Sequence, residues 1–179
     1  MWSFAGSLQP VPVASRLDLV AGPVAAAIAR VADPSAVGVA EIDAGLADTA
    51  AFCAHYGVAA EDSANCVVVK GKRGGEVRFA ACMVLATTRA DVNGIVRKRL
   101  DVRSASFAPM DEAVALTGME YGGITPIGLP EGWPILVDAA VAASPGVVIG
   151  AGVRGAKLFL PGPGLASLPG AEVIEGLGR

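Results

Sequence analysis

Apolar residues recur along the chain at two different spacings, and the spacing assigns the elements. Between residues 65 and 85, NCVVVKGKRGGEVRFAACMVL holds two β-branched runs around a Gly- and Lys-rich centre, which predicts a hairpin. In LADTAAFCAHYG, Leu46, Ala50, Phe52/Cys53 and Tyr56 fall at helical spacing, and Gly57 stands where a C-terminal cap belongs. Asp91 precedes VNGIVRKRL, whose Val92, Ile95, Val96 and Leu100 form an apolar stripe while Arg97, Lys98 and Arg99 project. PMDEAVALTG begins with Pro, carries acids in its first turn and ends at Gly118, all signs of a helix. Residues 17–32 read as a further helix and AAVAAS (139–144) as a short one. AVGVAEI (36–42), VRSASFA (102–108), PILVD (134–138), GVVIG (146–150) and AKLFL (156–160) read as strands. Strands and helices alternate without regular βαβ units. The pattern predicts one α+β domain over residues 1–179, with a mixed, mostly antiparallel sheet.

Composition tests that picture. The chain is 53% apolar with a mean hydropathy of +0.55, values that raise the question of a membrane span. Its longest apolar run, LVAGPVAAAIARVA, is broken by Gly22, Pro23 and Arg30 and falls short of the roughly 18 residues a span needs. MWSFAGSLQP lacks the basic start of a secretory leader. Cys53, Cys66 and Cys82 are odd in number and form no C-x-x-C pair, which suits free thiols and a cytoplasmic protein. Those cysteines and the single His55 are too few and too scattered for a metal site, so neither metal nor cofactor is expected. Charge is uneven within a net −3. Residues 66–103 hold nine basic and three acidic side chains, inside a chain that is acidic on both sides. Such a block is either a solvated face or the footprint of a polyanion.

Two glycine stretches remain. VVIGAGVRG places Gly150, Gly152 and Gly155 at the G-x-G-x-x-G spacing of dinucleotide-binding loops. That chemistry needs a helix N-terminus after the loop to meet the pyrophosphate, and AKLFL reads instead as a strand. The glycines are therefore expected to form a tight turn where backbone passes close to something. The other stretch, YGGITPIG (121–128), can turn neighbouring N–H groups into one concavity able to hold an oxygen.

The ordered set of motifs resembles the YbaK/prolyl-tRNA-synthetase-associated editing domains. It runs over roughly residues 45–175: a helix ending in YG, SANCVVV and the hairpin, LTG leading into GGITPIG, then ILVDAAV and VVIGAGVRG. Residues 1–44 add little to the match and form an N-terminal extension of the core. The resemblance implies an α+β domain around a mixed, barrel-like sheet, and hydrolysis of the ester linking a wrong amino acid to tRNA, often tRNA for proline. It implies that Gly122, Gly123, Thr125 and Pro126 approach the terminal adenosine and the aminoacyl carbonyl, with Asn65 beside them. Gly150, Gly152 and Arg154 would line the facing wall, with Asp138 the cap of the next helix or a further substrate contact. Lys70, Lys72, Arg73, Arg97, Lys98 and Arg99 would meet tRNA phosphates. The partners expected are tRNA and a synthetase, with neither DNA nor membrane. An activated ester held by aligned N–H donors needs no Ser–His–Asp set, and the chain has no G-x-S-x-G elbow.

Two positions depart from the family pattern. Asn65 stands where family members usually carry a lysine, and Lys70 on the same strand lies about 17 Å from it, too far to substitute. Lys157 stands near a position that is often acidic. The departures leave two readings open: a deacylase, or a module of the same fold that binds tRNA or a small acyl ligand with lost or altered catalysis.

Overall fold

The computed structural model describes all 179 residues. Its strands are β1 (Val11–Pro12), β2 (Gly38–Glu41), β3 (Ala64–Arg73), β4 (Glu76–Leu85), β5 (Ser104–Phe107), β6 (Ile135–Asp138), β7 (Val147–Gly150), β8 (Ala156–Leu160) and β9 (Ala171–Ile174). The helices are α1 (Gly22–Ala27), α2 (Thr49–Tyr56), α3 (Arg97–Arg99), α4 (Met110–Thr117), α5 (Ala139–Ala142) and α6 (Gly162–Ala166).

The class is α+β, but the strands form two sheets and neither closes into a barrel. One sheet is antiparallel throughout, in the order β1-β2-β8-β7; the other runs β5-β3-β4-β6-β9, with β6 parallel to both β4 and β9. A single parallel bridge, Ser63 to Val148, joins the start of β3 to β7. Beyond that bridge the edge of β3 leaves β7 and does not meet β5 until Val69. The stretch between is an opening in the wall.

Period-2 alternation distributes the apolar side chains into three layers. Val147 and Ile149 of β7, Leu158 and Leu160 of β8, and Met83 of β4 enter the core between the sheets, which α1 closes with Val24. Val148 and Phe159 point the other way, against Phe52 of α2. Ala80, Cys82 and Val84 of β4 face Val92, Val96 and Leu100.

Local chemistry sets the elements. The β3–β4 turn uses Gly74 and Gly75 at φ of +55° and +84°, the left-handed pair a two-residue hairpin demands. Gly57 and Gly118 cap α2 and α4 with φ of +69° and +67°. Asp91 accepts from the Gly94 and Ile95 amides, as a helix cap should, and a wide turn over Val92–Val96 runs into α3. The helix expected over residues 17–32 is broken. Leu17–Leu19 forms one tight turn, Val20 is extended, and α1 starts afresh at Gly22, where Pro23 needs no N–H partner.

Candidate functional site

A cavity of about 410 Å³ opens where β3 parts from its neighbours. The rung of β7 and β8 that pairs Gly150 with Lys157 forms one wall. Asn65 to Val68 of β3 form another, the Ala47–Thr49 entry to α2 a third, and Tyr121, Gly122 and Ile124 the lid; Phe107 lies on the rim. Both sheets thus contribute to the lining.

The two glycine turns interlock over this space. Gly152 N–H donates to the Gly123 carbonyl at 2.7 Å, and Glu120 N–H donates to the Gly152 carbonyl at 2.9 Å. A Cβ at Gly150 would lie 2.5 Å from the Gly123 oxygen, and one at Gly123 would lie 2.6 Å from the Val153 carbonyl carbon. Only glycine allows main chain to meet main chain so closely. The Gly123 amide is spent on the Glu120 carbonyl, whereas those of Gly122 and Ile124 have no partner in the chain. Gly122 holds φ of +86°.

Arg154 fastens the arrangement from outside the lining. Its Nε donates to the Ala44 carbonyl at 3.2 Å and its Nη1 to the Tyr121 carbonyl at 3.4 Å, with Asp48 Oδ1 3.5 Å away. Its own amide donates to Glu120 Oε1 at 3.0 Å. This arginine ties the α2 entry to both glycine turns.

Among the other residues singled out in the sequence, Gly122, Gly123 and Gly150 come together and Asn65 joins them. Gly152 packs instead against the start of α1, where a Cβ would lie 2.5 Å from that of Ala21 just before the helix and 2.9 Å from Val24 within it. Thr125 is wholly buried, lies outside the lining and leaves its hydroxyl without a partner. Pro126 borders a separate hollow near Trp133. Asp138 occupies the cap position of α5 yet makes no cap hydrogen bond; its carboxylate faces Gly178 beside Thr88, away from the cavity.

The basic block is partly neutralised. Lys70 pairs with Glu112 at 2.7 Å, Arg73 with Asp101 and Arg99 with Glu172. Arg97 donates to the Asn93 carbonyl, while Lys72 and Lys98 are exposed and make no ion pair. Arg103 N–H donates to the Lys72 carbonyl, which carries this strip onto β5 and so to Phe107, about 13 Å along the strand.

The polar side chains of the lining are Asp48, Thr49, Asn65, Tyr121 and Lys157. Thr49 Oγ1 donates to Asn65 Oδ1 at 2.7 Å, so the amide nitrogen of Asn65 is the end left over. Lys157 is 8% exposed; its ammonium donates to the Ala47 carbonyl at 3.0 Å and sits 5.1 Å from the Phe52 ring centre. Burial pushes its pKa down. Cys66 also lines the space, and burial raises its thiol pKa, which disfavours the thiolate a nucleophile needs. His55 is on the exposed side of α2, and no cluster of three His, Cys, Asp or Glu could hold a metal.

Sequence reasoning passed over Thr49, Phe107 and Tyr121, and noted Lys157 only as a departure. The signal for Lys157 is a lone charge in an otherwise apolar strand, AKLFL, all five residues of which are buried.

Comparison with known proteins fits this geometry. The model of the aminoacyl-tRNA editing domain matches residues 43–168, a span containing every lining residue of the cavity. The chain belongs to this family. Among solved structures, the editing domain here superposes on one described as a "putative trans-editing enzyme for prolyl tRNA synthetase". The TM-score is 0.73 at 21% identity, over 94% of this chain and 98% of that one. A second match is a scaffold from computational epitope grafting, with TM-score 0.74 at 22% identity over 89% and 97% of the two chains. At such identities the likeness is one of fold. No helix of this editing domain is long and apolar enough to cross a membrane.

Proposed function

We propose that this editing domain hydrolyses the ester of mischarged aminoacyl-tRNA in trans, removing a small amino acid from tRNA for proline or a similar tRNA. The observation that carries the reading is the interlocked pair of glycine turns. They hold unpartnered Gly122 and Ile124 amides at the wall of a cavity that has no activated side-chain nucleophile. Family membership and the trans-editing structural relative support the substrate class.

The chemistry follows from what is present. Water attacks the ester carbonyl carbon and gives up a proton, and the carbonyl oxygen gathers negative charge. Main-chain N–H groups fixed in advance stabilise that charge without reorganising, the kind of contribution worth about 3 kcal/mol per donor. The carbon–oxygen bond to the ribose breaks, the ribose oxygen takes up a proton, and free amino acid and a 3′-hydroxyl leave. Gly123 and Gly150 act by letting the turns close, and Arg154 by locking them.

The test is a panel of mischarged tRNAs incubated with the full chain. Hydrolysis above the spontaneous rate is expected for at least one, and silence across the panel overturns the proposal. A binding module is the second reading, favoured by the neutral Asn65 whose oxygen Thr49 already occupies. It predicts that tRNA binds without hydrolysis, and that Asn65→Lys creates activity. A synthetase-associated structural role predicts co-purification with that enzyme and indifference to RNA.

A further inference from the structure

An ammonium group seldom stays below one-tenth exposure without a carboxylate, because losing its hydration costs several kcal/mol. Lys157 does so. It makes no ion pair, and the acid of the lining, Asp48, is exposed and turned to Arg154. The Ala47 carbonyl satisfies one of its three N–H bonds, and the Phe52 ring offers a second partial partner. One donor is left without a partner, on a cation of the cavity lining that no ion pair neutralises. The same lining holds Asn65, whose carboxamide oxygen is occupied, and Gly122 and Ile124, whose amides have no partner in the chain. With one cation in the lining and its one carboxylate, Asp48, turned to Arg154, the cavity suits an oxygen-rich anion.

We propose that Lys157 is a substrate-binding residue that seats an anionic oxygen of the substrate inside the cavity. This rests on the editing reading for the identity of the substrate. Two parts of an aminoacyl-tRNA carry such an oxygen: the phosphodiester on the 5′ side of the terminal adenosine, and a carboxylate on the acyl group. The cation also disfavours any pose that brings the substrate's α-ammonium towards β8, so it sets the direction in which the ester enters.

The full chain is titrated with adenosine 5′-monophosphate and with adenosine, followed by calorimetry. If the phosphodiester is the partner, the monophosphate binds about ten- to a hundredfold more tightly, as a charged hydrogen bond implies. Lys157→Met removes that difference while adenosine affinity stays the same. In a second arm, hydrolysis of aspartyl-tRNA and asparaginyl-tRNA is compared. A tenfold or greater preference for the aspartyl ester, lost in Lys157→Met, assigns the anion to the acyl group. Equal treatment of both pairs by the wild type overturns the proposal, as does a preference that survives Lys157→Met. Should that variant not fold, Lys157→Gln keeps a donor for the Ala47 carbonyl and supplies the same comparison. Nucleotide binding is read without hydrolysis. A chain that binds the monophosphate through Lys157 but cleaves no ester keeps this inference and loses the proposed activity.

Discussion

A methyl group at Gly123 would lie 2.6 Å from both the carbonyl carbon and the oxygen of Val153, and backbone cannot step aside as a flexible side chain can. Gly123→Val is therefore expected to part the two turns, abolish deacylation and lower stability by about 1–3 kcal/mol, the usual cost of overpacking. Deacylation rate and melting temperature together check it: activity kept at a wild-type rate would mean the turns need not touch. Gly155 behaves oppositely. Nothing lies within 4 Å of a Cβ there and its φ is not positive, so Gly155→Ala should stabilise by about 0.4–1 kcal/mol by restricting the unfolded chain. A melting temperature raised by about 1–4 °C is the expected reading. The G-x-G-x-x-G spacing thus has no single cause. Gly150 yields to the Gly123 carbonyl, Gly152 takes φ of +80° beside Ala21, and Gly155 is sterically free. A fingerprint match carries no nucleotide chemistry when its glycines answer to different neighbours.

Elements here stand or fall by their caps. Asp91 holds the entry to the basic helical segment through the Gly94 and Ile95 amides, both at 3.2 Å, and receives Arg179 at 2.9 Å. Asp91→Ala should cost about 1–2 kcal/mol, seen as a lower urea midpoint with unchanged slope, and hydrogen exchange should quicken at Gly94 and Ile95. If exchange there is unaltered, the cap is not what orders the segment. Such locally encoded devices are the parts of the fold legible in the sequence: the Gly74–Gly75 turn, Gly57, Gly118 and Asp91 all act on their immediate neighbours. Pairing between distant segments is another matter. Residues 171–174 become a strand only because β6 offers them an edge, and Val11–Pro12 only because β2 does. The expected barrel-like sheet became two sheets because β3 and β7 share one bridge rather than a ladder. For the site, the glycine turns and Asn65 were legible as motifs. Phe107 and Tyr121 reach the cavity through tertiary placement that no spacing records.

At the scale of the whole molecule, pH and salt act through groups spread over both sheets. The thiols of Cys66 and Cys82 are pushed up by burial, that of Cys82 to about 12 from an ordinary 9.0. Below pH 9 both are protonated whether the chain is folded or not, and their full contribution to stability is present. Between about 9 and 12 the unfolded chain releases protons that the folded one keeps, so stability falls as the pH rises. Lys157 works in the opposite direction, since its depressed pKa makes the folded state lose a proton before the unfolded one does. Comparing the wild type with a Cys66→Ala, Cys82→Ala variant isolates the thiols. The urea midpoint of the wild type should drop more steeply through that window, and parallel curves would show that the thiols do not titrate with unfolding. Salt reports on the basic strip. A protein of net charge −3 holds a polyanion only through cations that its own carboxylates have not claimed, and in the basic block those are Lys72, Arg89, Arg97, Lys98 and Arg103. Replacing each by Gln should weaken tRNA binding and flatten the dependence of log K on log salt by about 0.7–0.9 for every phosphate left without its cation. Arg73→Gln and Arg99→Gln remove cations already paired with Asp101 and Glu172, so they should change that slope far less. Equal effects from both groups would mean that the ion pairs open on binding, and that the strip is wider than the free protein displays.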